Sequence, residues 1–85
     1  MPAGRAAIEG SFTVPLTDAG REWAAAFAVS AEREIRLTGS GNWPRELHRG
    51  QRVTLRINSE TFEGTVKWRR GRVLVMVEKL REVGT

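Results

Sequence analysis

Residues 52–78 decide the fold, and they read RVTLRINSETFEGTVKWRRGRVLVMVE. Apolar and polar side chains alternate over residues 52–57 and 61–68, and apolar side chains fall on both faces of residues 72–78. We predict that each of these three segments is a strand. Alternation indicates a strand with one face in a core, and apolar residues on both faces are typical of a strand covered on both sides. The stretches Asn58-Ser59-Glu60 and Arg69-Arg70-Gly71 predict tight turns, with Gly71 at a positive φ.

Trp68 falls in phase with Phe62 and Val66 in the second predicted strand. Strict alternation therefore predicts that its indole belongs to the core. An exposed Trp68 would instead be able to stack on a nucleic-acid base.

The first half of the chain contains a further strand signal and one ambiguous segment. Residues 11–16 alternate, and Pro15 is typical of a strand at a sheet edge. In residues 21–37, Trp23 and Phe27 share one face both in a strand, with its period of two, and in a helix, with its period of 3.6. The many alanines of this segment favour a helix. We favour strands here, with one helix within residues 18–36 as the alternative.

These segments together predict an all-β fold, a small antiparallel β-barrel of five to six strands. Closure into a barrel removes the exposed edges that a short open sheet would leave. The chain has 85 residues, which is enough for one domain. We assign residues 11–79 to the barrel, 1–10 to a flexible N-terminus and 80–85 to a C-terminal tail.

Composition weakens most enzyme and metal-site hypotheses. The chain has no cysteine, one histidine (His48) and one aspartate (Asp18). A zinc site usually needs several histidine or cysteine ligands. A serine-histidine-aspartate triad would have to use both the only histidine and the only aspartate of the chain. We expect a non-enzymatic protein with no catalytic residues, no metal and no cofactor. Because no apolar run spans a bilayer and no signal peptide is evident, we expect no membrane span and a cytoplasmic location.

The positive charge of the chain lies in its second half. Residues 1–42 carry four basic and five acidic side chains, whereas residues 43–85 carry ten basic and five acidic ones. Twelve of the fourteen basic residues are arginines. Arginine grips phosphate with two parallel hydrogen bonds, so this bias suggests a phosphate-bearing partner, although a GC-rich genome would produce the same bias.

The candidate site is the arginine-rich hairpin together with the strand expected beside it. Its predicted phosphate-binding residues are Arg52, Arg56, Lys67, Arg69, Arg70 and Arg72. On the outward face of paired strands these cations would form one stripe that attracts a polyanion. Trp43, which precedes Pro44 in a glycine-containing loop, is either a cap on the core or an additional stacking residue.

The segments LHRGQRVTL (47–55), FEGTVKW (62–68) and GRVLV (71–75) resemble the second half of a PilZ domain. The resemblance runs mainly over residues 28–77 and implies a six-stranded barrel that binds cyclic di-GMP. Ser30 matches the serine of the family's D-x-S-x-x-G motif, but Ala28 and Arg33 replace its Asp and Gly. Arg5 matches the first arginine of an R-x-x-x-R motif whose second position is Glu9. The same strand pattern is similar to SH3-like barrels that bind RNA or nucleoprotein machinery.

Three functions are consistent with these patterns. The leading hypothesis is a binding module whose basic hairpin face takes nucleic acid or another anionic ligand. The alternative is a degenerate PilZ-like sensor, with Arg5 and Ser30 as nucleotide-binding residues, or an adaptor that binds a protein partner. A second alternative is a small structural or inhibitor subunit of a larger assembly.

Overall fold

Six antiparallel strands close into one barrel in the computed structural model, which describes residues 8–15, 21–39, 43–71 and 74–83. The strands are β1 (Ile8–Thr13), β2 (Trp23–Ala31), β3 (Glu34–Thr38), β4 (Arg52–Ile57), β5 (Glu60–Arg70) and β6 (Leu74–Glu82). Their order around the barrel is β1-β2-β3-β6-β5-β4, and β4 returns to pair with β1. The expected all-β barrel is confirmed at six strands.

The ambiguous segment is extended, so the helix alternative is wrong for its described part. Residues 23–31 and 34–38 form β2 and β3, with Val29 paired to Ile35. Local alanine content favours a helix, but pairing with β1 on one side and β3 on the other satisfies the backbone of β2. Tertiary pairing here outweighs a propensity of a few tenths of a kcal/mol per residue.

The ends of the barrel extend beyond the predicted bounds. β1 begins at Ile8, within the segment expected to be a flexible N-terminus, and β6 continues to Glu82, within the expected tail. Residues 1–7 and 84–85 lie outside the described residues. Strand pairing explains the longer C-terminal strand, because Phe62 lies opposite Glu82 across the β5–β6 ladder.

Two tight turns follow the predicted chemistry. Asn58 and Ser59 have φ values of 53° and 70° between β4 and β5, as a two-residue hairpin loop of type I′ requires. Gly71 has a φ of 58° after β5, as expected. Because β5 runs through Arg70, the second turn begins later than the sequence predicted.

The core is formed by the inward side chains of all six strands, by Val14 directly after β1 and by two residues of the loop before β4. It contains Phe12, Val14, Trp23, Ala25, Phe27, Ile35, Leu37, Trp43, Leu47, Val53, Leu55, Ile57, Val66, Val75 and Val77. Phe12 stacks on Trp23 with ring centroids 5.6 Å apart and meets Trp43 edge-on at 5.3 Å. Burial of these aromatic rings supplies much of the apolar area in a domain this small.

A β-bulge in β5 reverses the predicted orientation of Trp68. Val66 lies opposite Val77 and Trp68 lies opposite Met76, so Lys67 is an extra residue in β5. The bulge places Val66 inward and Trp68 outward, where strict alternation would put both on one face. The expectation of a core Trp68 is therefore wrong, and the indole is half-buried on the outer surface.

Candidate functional site

One arginine fastens the loop before β4 to the tip of the β5–β6 hairpin. The guanidinium of Arg69 donates from its Nη1 to the carbonyl oxygens of Pro44 at 2.8 Å and Leu47 at 3.0 Å. Its Nε donates to the carbonyl oxygen of Gly71 at 3.0 Å. Arg69 lies opposite Val75 in the ladder, so it shares the inward phase and reaches these carbonyls across the barrel end. It thereby holds the two segments in fixed relative positions.

This connection gathers four arginines at one end of the barrel, which we call the basic rim. It comprises Arg45, Arg49, Arg52 and Arg70. All four side chains are exposed, and within the described part of the chain none of them takes part in an ion pair. Hydrogen bonds between Gly50 N–H and the Val66 carbonyl, and between Val66 N–H and the Gln51 carbonyl, keep the loop alongside β5.

The opposite end of the barrel, which we call the far end, carries charges of both signs. Its exposed acidic side chains are Glu32, Glu60 and Glu82, and its exposed basic side chains are Arg33, Lys79 and Arg81. At the basic end, Glu46 is exposed in the same loop as Arg45 and Arg49, and Glu22 is exposed directly before β2. The surplus of positive charge therefore lies at the end where β4 begins.

The predicted cationic stripe on one outer wall does not form as a single surface. Arg52 belongs to the basic rim, whereas Arg56 lies opposite Thr61, farther along β4 toward the far end. The Nζ of Lys67 lies 3.2 Å from the Oε2 of Glu34, so its charge is paired on the side of β3. Arg69 is committed to loop carbonyls. The bulge at Lys67 turns Arg69 to the inward phase, whereas Arg56 is separated from the rim by its position along β4 and Lys67 is neutralised by its ion pair.

Trp43 is a cap on the core, which is one of the two roles predicted for it, and not a stacking residue. Its side chain is 8% exposed, and its Nε1 donates to the carbonyl oxygen of Ala24 at 3.2 Å. The indole lies directly on Gly39, where a Cβ atom would overlap the ring. Because the ring faces are covered, Trp43 is not accessible for stacking on a ligand.

Trp68 is instead the tryptophan that reaches the outer surface. The guanidinium carbon of Arg70 lies 4.9 Å from the centroid of its ring, in a cation–π contact. Met76 lies beside Trp68 on β6, and Arg36 lies beside Met76 on β3. An aromatic ring and two exposed arginines thus share one outer surface next to the basic rim.

The residues implied by the PilZ resemblance are not brought together with this surface. Ser30 is exposed near the end of β2, at the far end of the barrel. Arg5 lies outside the described residues, as does Arg72 of the predicted hairpin site.

Sequence reasoning missed Arg45, Arg49 and Arg36 as surface partners and gave Trp68 the wrong face. The sequence around the bulge carries no signal for it. Arg69 and Arg70 are adjacent, so one of them takes the inward phase with the bulge or without it. No signal singles out Arg45 and Arg49 either, because their position depends on the hydrogen bonds of Arg69.

The described residues hold no group of three or more histidine, cysteine or carboxylate side chains placed to bind a metal ion. In the same part of the chain, no helix has the length and apolar character to cross a membrane. No protein-family model, curated protein or solved structure matches this chain. Its function is therefore proposed from the residues that its own fold brings together.

Proposed function

We propose that this chain is a non-enzymatic binding module that takes nucleic acid on its basic rim. The observation that carries the proposal is the gathering of Arg45, Arg49, Arg52 and Arg70 at one barrel end with no ion pair among the described residues. Arginines that are not neutralised by carboxylates are available to phosphate oxygens, which each guanidinium can bind through two hydrogen bonds.

The attachment of the rim to the barrel supports the proposal energetically. Arg69 and the backbone bonds of Gly50 and Val66 already hold the loop beside β5. A ligand would meet a preformed set of cations and would not have to order the loop that carries them. Preorganisation of this kind reduces the entropic cost of binding.

The distribution of charge on the barrel supports a single mode of binding. A polyanion is attracted to the surplus of arginines at the rim, whereas the far end has as many exposed acidic side chains as basic ones. The phosphate backbone would therefore contact one end of the barrel, and the small number of cations there predicts modest affinity with a clear dependence on salt.

Two charge reversals of equal size test the proposal. Arg49→Glu removes a rim cation, and Arg56→Glu makes the same change in net charge on the outer face of β4, away from the rim. Binding of a labelled oligonucleotide is followed by fluorescence anisotropy at several salt concentrations. We expect Arg49→Glu to weaken binding and to reduce the salt slope by about 1. The Arg56→Glu variant is expected to bind nearly as the parent does.

Two outcomes would reject the rim as the binding site. Equal losses for both variants would mean that only net charge matters, and no binding by the parent at low salt would exclude nucleic acid altogether. Calorimetry with cyclic di-GMP tests the alternative function that the PilZ resemblance implies. If cyclic di-GMP binds the parent and Arg49→Glu but not Ser30→Ala, the binding site lies at the end of the barrel that carries Ser30 and not at the basic rim.

A further inference from the structure

The bulge at Lys67 exposes a large aromatic side chain that the barrel does not need for its core. Val66, on one side of the bulge, is buried against Val77, whereas Trp68, on the other, pairs with Met76 on the outer face. Bulges commonly redirect a side chain beside a functional site. The other two tryptophans, Trp23 and Trp43, are only 9% and 8% exposed. Trp68 is thus the tryptophan whose ring a ligand is able to reach.

The neighbours of Trp68 indicate what kind of ligand suits it. Arg70 lies over the indole, and Arg36 lies in the same row beyond Met76. Both arginines are exposed and form no ion pair with any residue that the structure describes. An apolar protein surface placed here would desolvate both charges without compensation. A ligand with a flat aromatic part and a nearby phosphate would satisfy the ring and the cations together.

We propose that Trp68 and Arg70 form a stacking platform for an unpaired base, so that the ligand of the basic rim is a single-stranded nucleic acid. This inference rests on the proposed function and names its substrate class. A base stacks on the indole or on the guanidinium plane that covers it, while Arg36 and the rim bind the flanking phosphates. Bases within a duplex are already stacked on each other and offer no free face except at the ends.

Charge alone predicts the opposite preference. A duplex carries more negative charge per unit length than a single strand and releases more counterions for each phosphate contact. A rim that acted only through electrostatics would therefore bind duplex at least as well as single strand. A preference for the single strand would be the signature of stacking.

The test compares three polyanions at one low salt concentration: a single-stranded oligothymidylate, its duplex with oligoadenylate, and inorganic polyphosphate, which has no bases. We expect the parent to bind the single strand most tightly and to show quenching of tryptophan fluorescence with it. In Trp68→Leu we expect single-strand affinity to fall about five- to 150-fold. The ratio of single-strand affinity to polyphosphate affinity in this variant should fall by the same factor. Val29→Ala, a change at an exposed apolar residue near the far end, serves as the matched control and should keep the parent's ratio of single-strand to polyphosphate affinity.

Trp68→Phe keeps the test decisive if the leucine variant does not fold. It should retain most of the single-strand preference but lose the quenching, because the two remaining tryptophans are buried. Quenching that persists in Trp68→Phe would overturn the proposal. So would a dimer of the parent that dissociates in Trp68→Leu, since a second copy of the chain would then cover the indole.

The remaining outcomes separate this inference from the proposed function. Binding of all three polyanions, with duplex favoured and Trp68→Leu indistinguishable from the parent, would overturn the stacking platform and leave the basic rim intact. An absence of binding to any of the three would reject the rim, and the platform with it.

Discussion

At the scale of single residues, the tryptophans of this chain divide into core residues and a surface residue. Trp43 packs edge-on against Phe12, lies on Gly39 and donates a hydrogen bond to Ala24, whereas Trp68 touches solvent and the guanidinium of Arg70. The two indoles are chemically identical, so the difference in what they contact decides whether each stabilises the fold or is available to a ligand.

We expect Trp43→Ala to lower the free energy of unfolding by about 3–5 kcal/mol, because it empties a buried site and leaves the Ala24 carbonyl without its donor. Trp68→Ala should cost much less, since its ring is half-buried and outside the core. Urea unfolding, followed by far-UV circular dichroism, measures both. Equal costs would show that the Trp68 ring is a core element and would remove the reason to regard it as a ligand site.

At the scale of secondary-structure elements, β5 is the strand that shapes the surface. Its eleven residues pair with β4 over the first half and with β6 along its length. The β5–β6 register shifts between Glu63 and Thr65 and again at Lys67, and the second shift precedes the half that carries Trp68 and Arg70. One extra residue thus determines which side chains face outward on the part of the strand nearest the basic rim.

Deletion of Lys67 should be tolerated, because the pairs Val66 with Val77 and Trp68 with Met76 persist when the extra residue is removed. The deletion also removes the ion pair of Lys67 with Glu34, and exposed pairs of this kind contribute about 0–1 kcal/mol. Deletion of Thr54 is the control. It lies in the regular part of β4, where loss of one residue turns the following core side chains outward. Urea midpoints should show a small shift for the first deletion and loss of the folded state for the second; comparable destabilisation would contradict a simple bulge.

Arg69 of β5 holds the loop before β4 in place, so we expect its substitution to lower the stability of the fold and not to remove a direct contact with the ligand. Arg69→Ala should cost about 2–3 kcal/mol, since a charged donor to the carbonyls of Pro44, Leu47 and Gly71 is lost. Arg69→Lys should recover little of this, because an ammonium group cannot match the fixed fork of a guanidinium. Hydrogen exchange at the amides of residues 43–51 should accelerate in both variants. Unchanged exchange combined with weaker nucleic-acid binding would instead make Arg69 a direct ligand contact.

At the scale of the whole molecule, the net charge of +4 matters less than its distribution. Closure of β1 against β4 completes the barrel and gives it two distinct ends, one with the basic rim and one where exposed Glu32, Glu60 and Glu82 are balanced by Arg33, Lys79 and Arg81. A chain with the same composition and an even distribution of charge would have no such polarity.

The number of cations in the rim predicts the salt dependence of the whole protein. Four phosphate contacts correspond to a slope of about −3 in a plot of log affinity against log salt for a single strand. Titrations over a series of salt concentrations measure this slope directly. A slope near zero would exclude phosphate contacts, and a slope much steeper than the rim and Arg36 together account for would require further cations, such as Arg56.

The local sequence was sufficient to predict the three strands of the second half and the turn at Asn58 and Ser59, but not the ends of β5 and β6. Alternation over β4 and most of β5, the polar turn at Asn58 and Ser59, and the positive φ of Gly71 are encoded in neighbouring residues, so a reading of the sequence recovers them. The all-β class followed from these signals, since apolar faces with a period of two need another sheet face to cover them.

The tertiary structure alone decided which tryptophan is exposed and which arginines are free. The bulge at Lys67 is set by how β5 pairs with β6, and the basic rim depends on bonds from Arg69 to carbonyls more than twenty residues away. The alternation of apolar and polar side chains along one strand indicates which side chains are buried when the strand is regular. It contains no information about an extra residue in a ladder or about a guanidinium that reaches across the barrel end, because both depend on partners distant in the sequence.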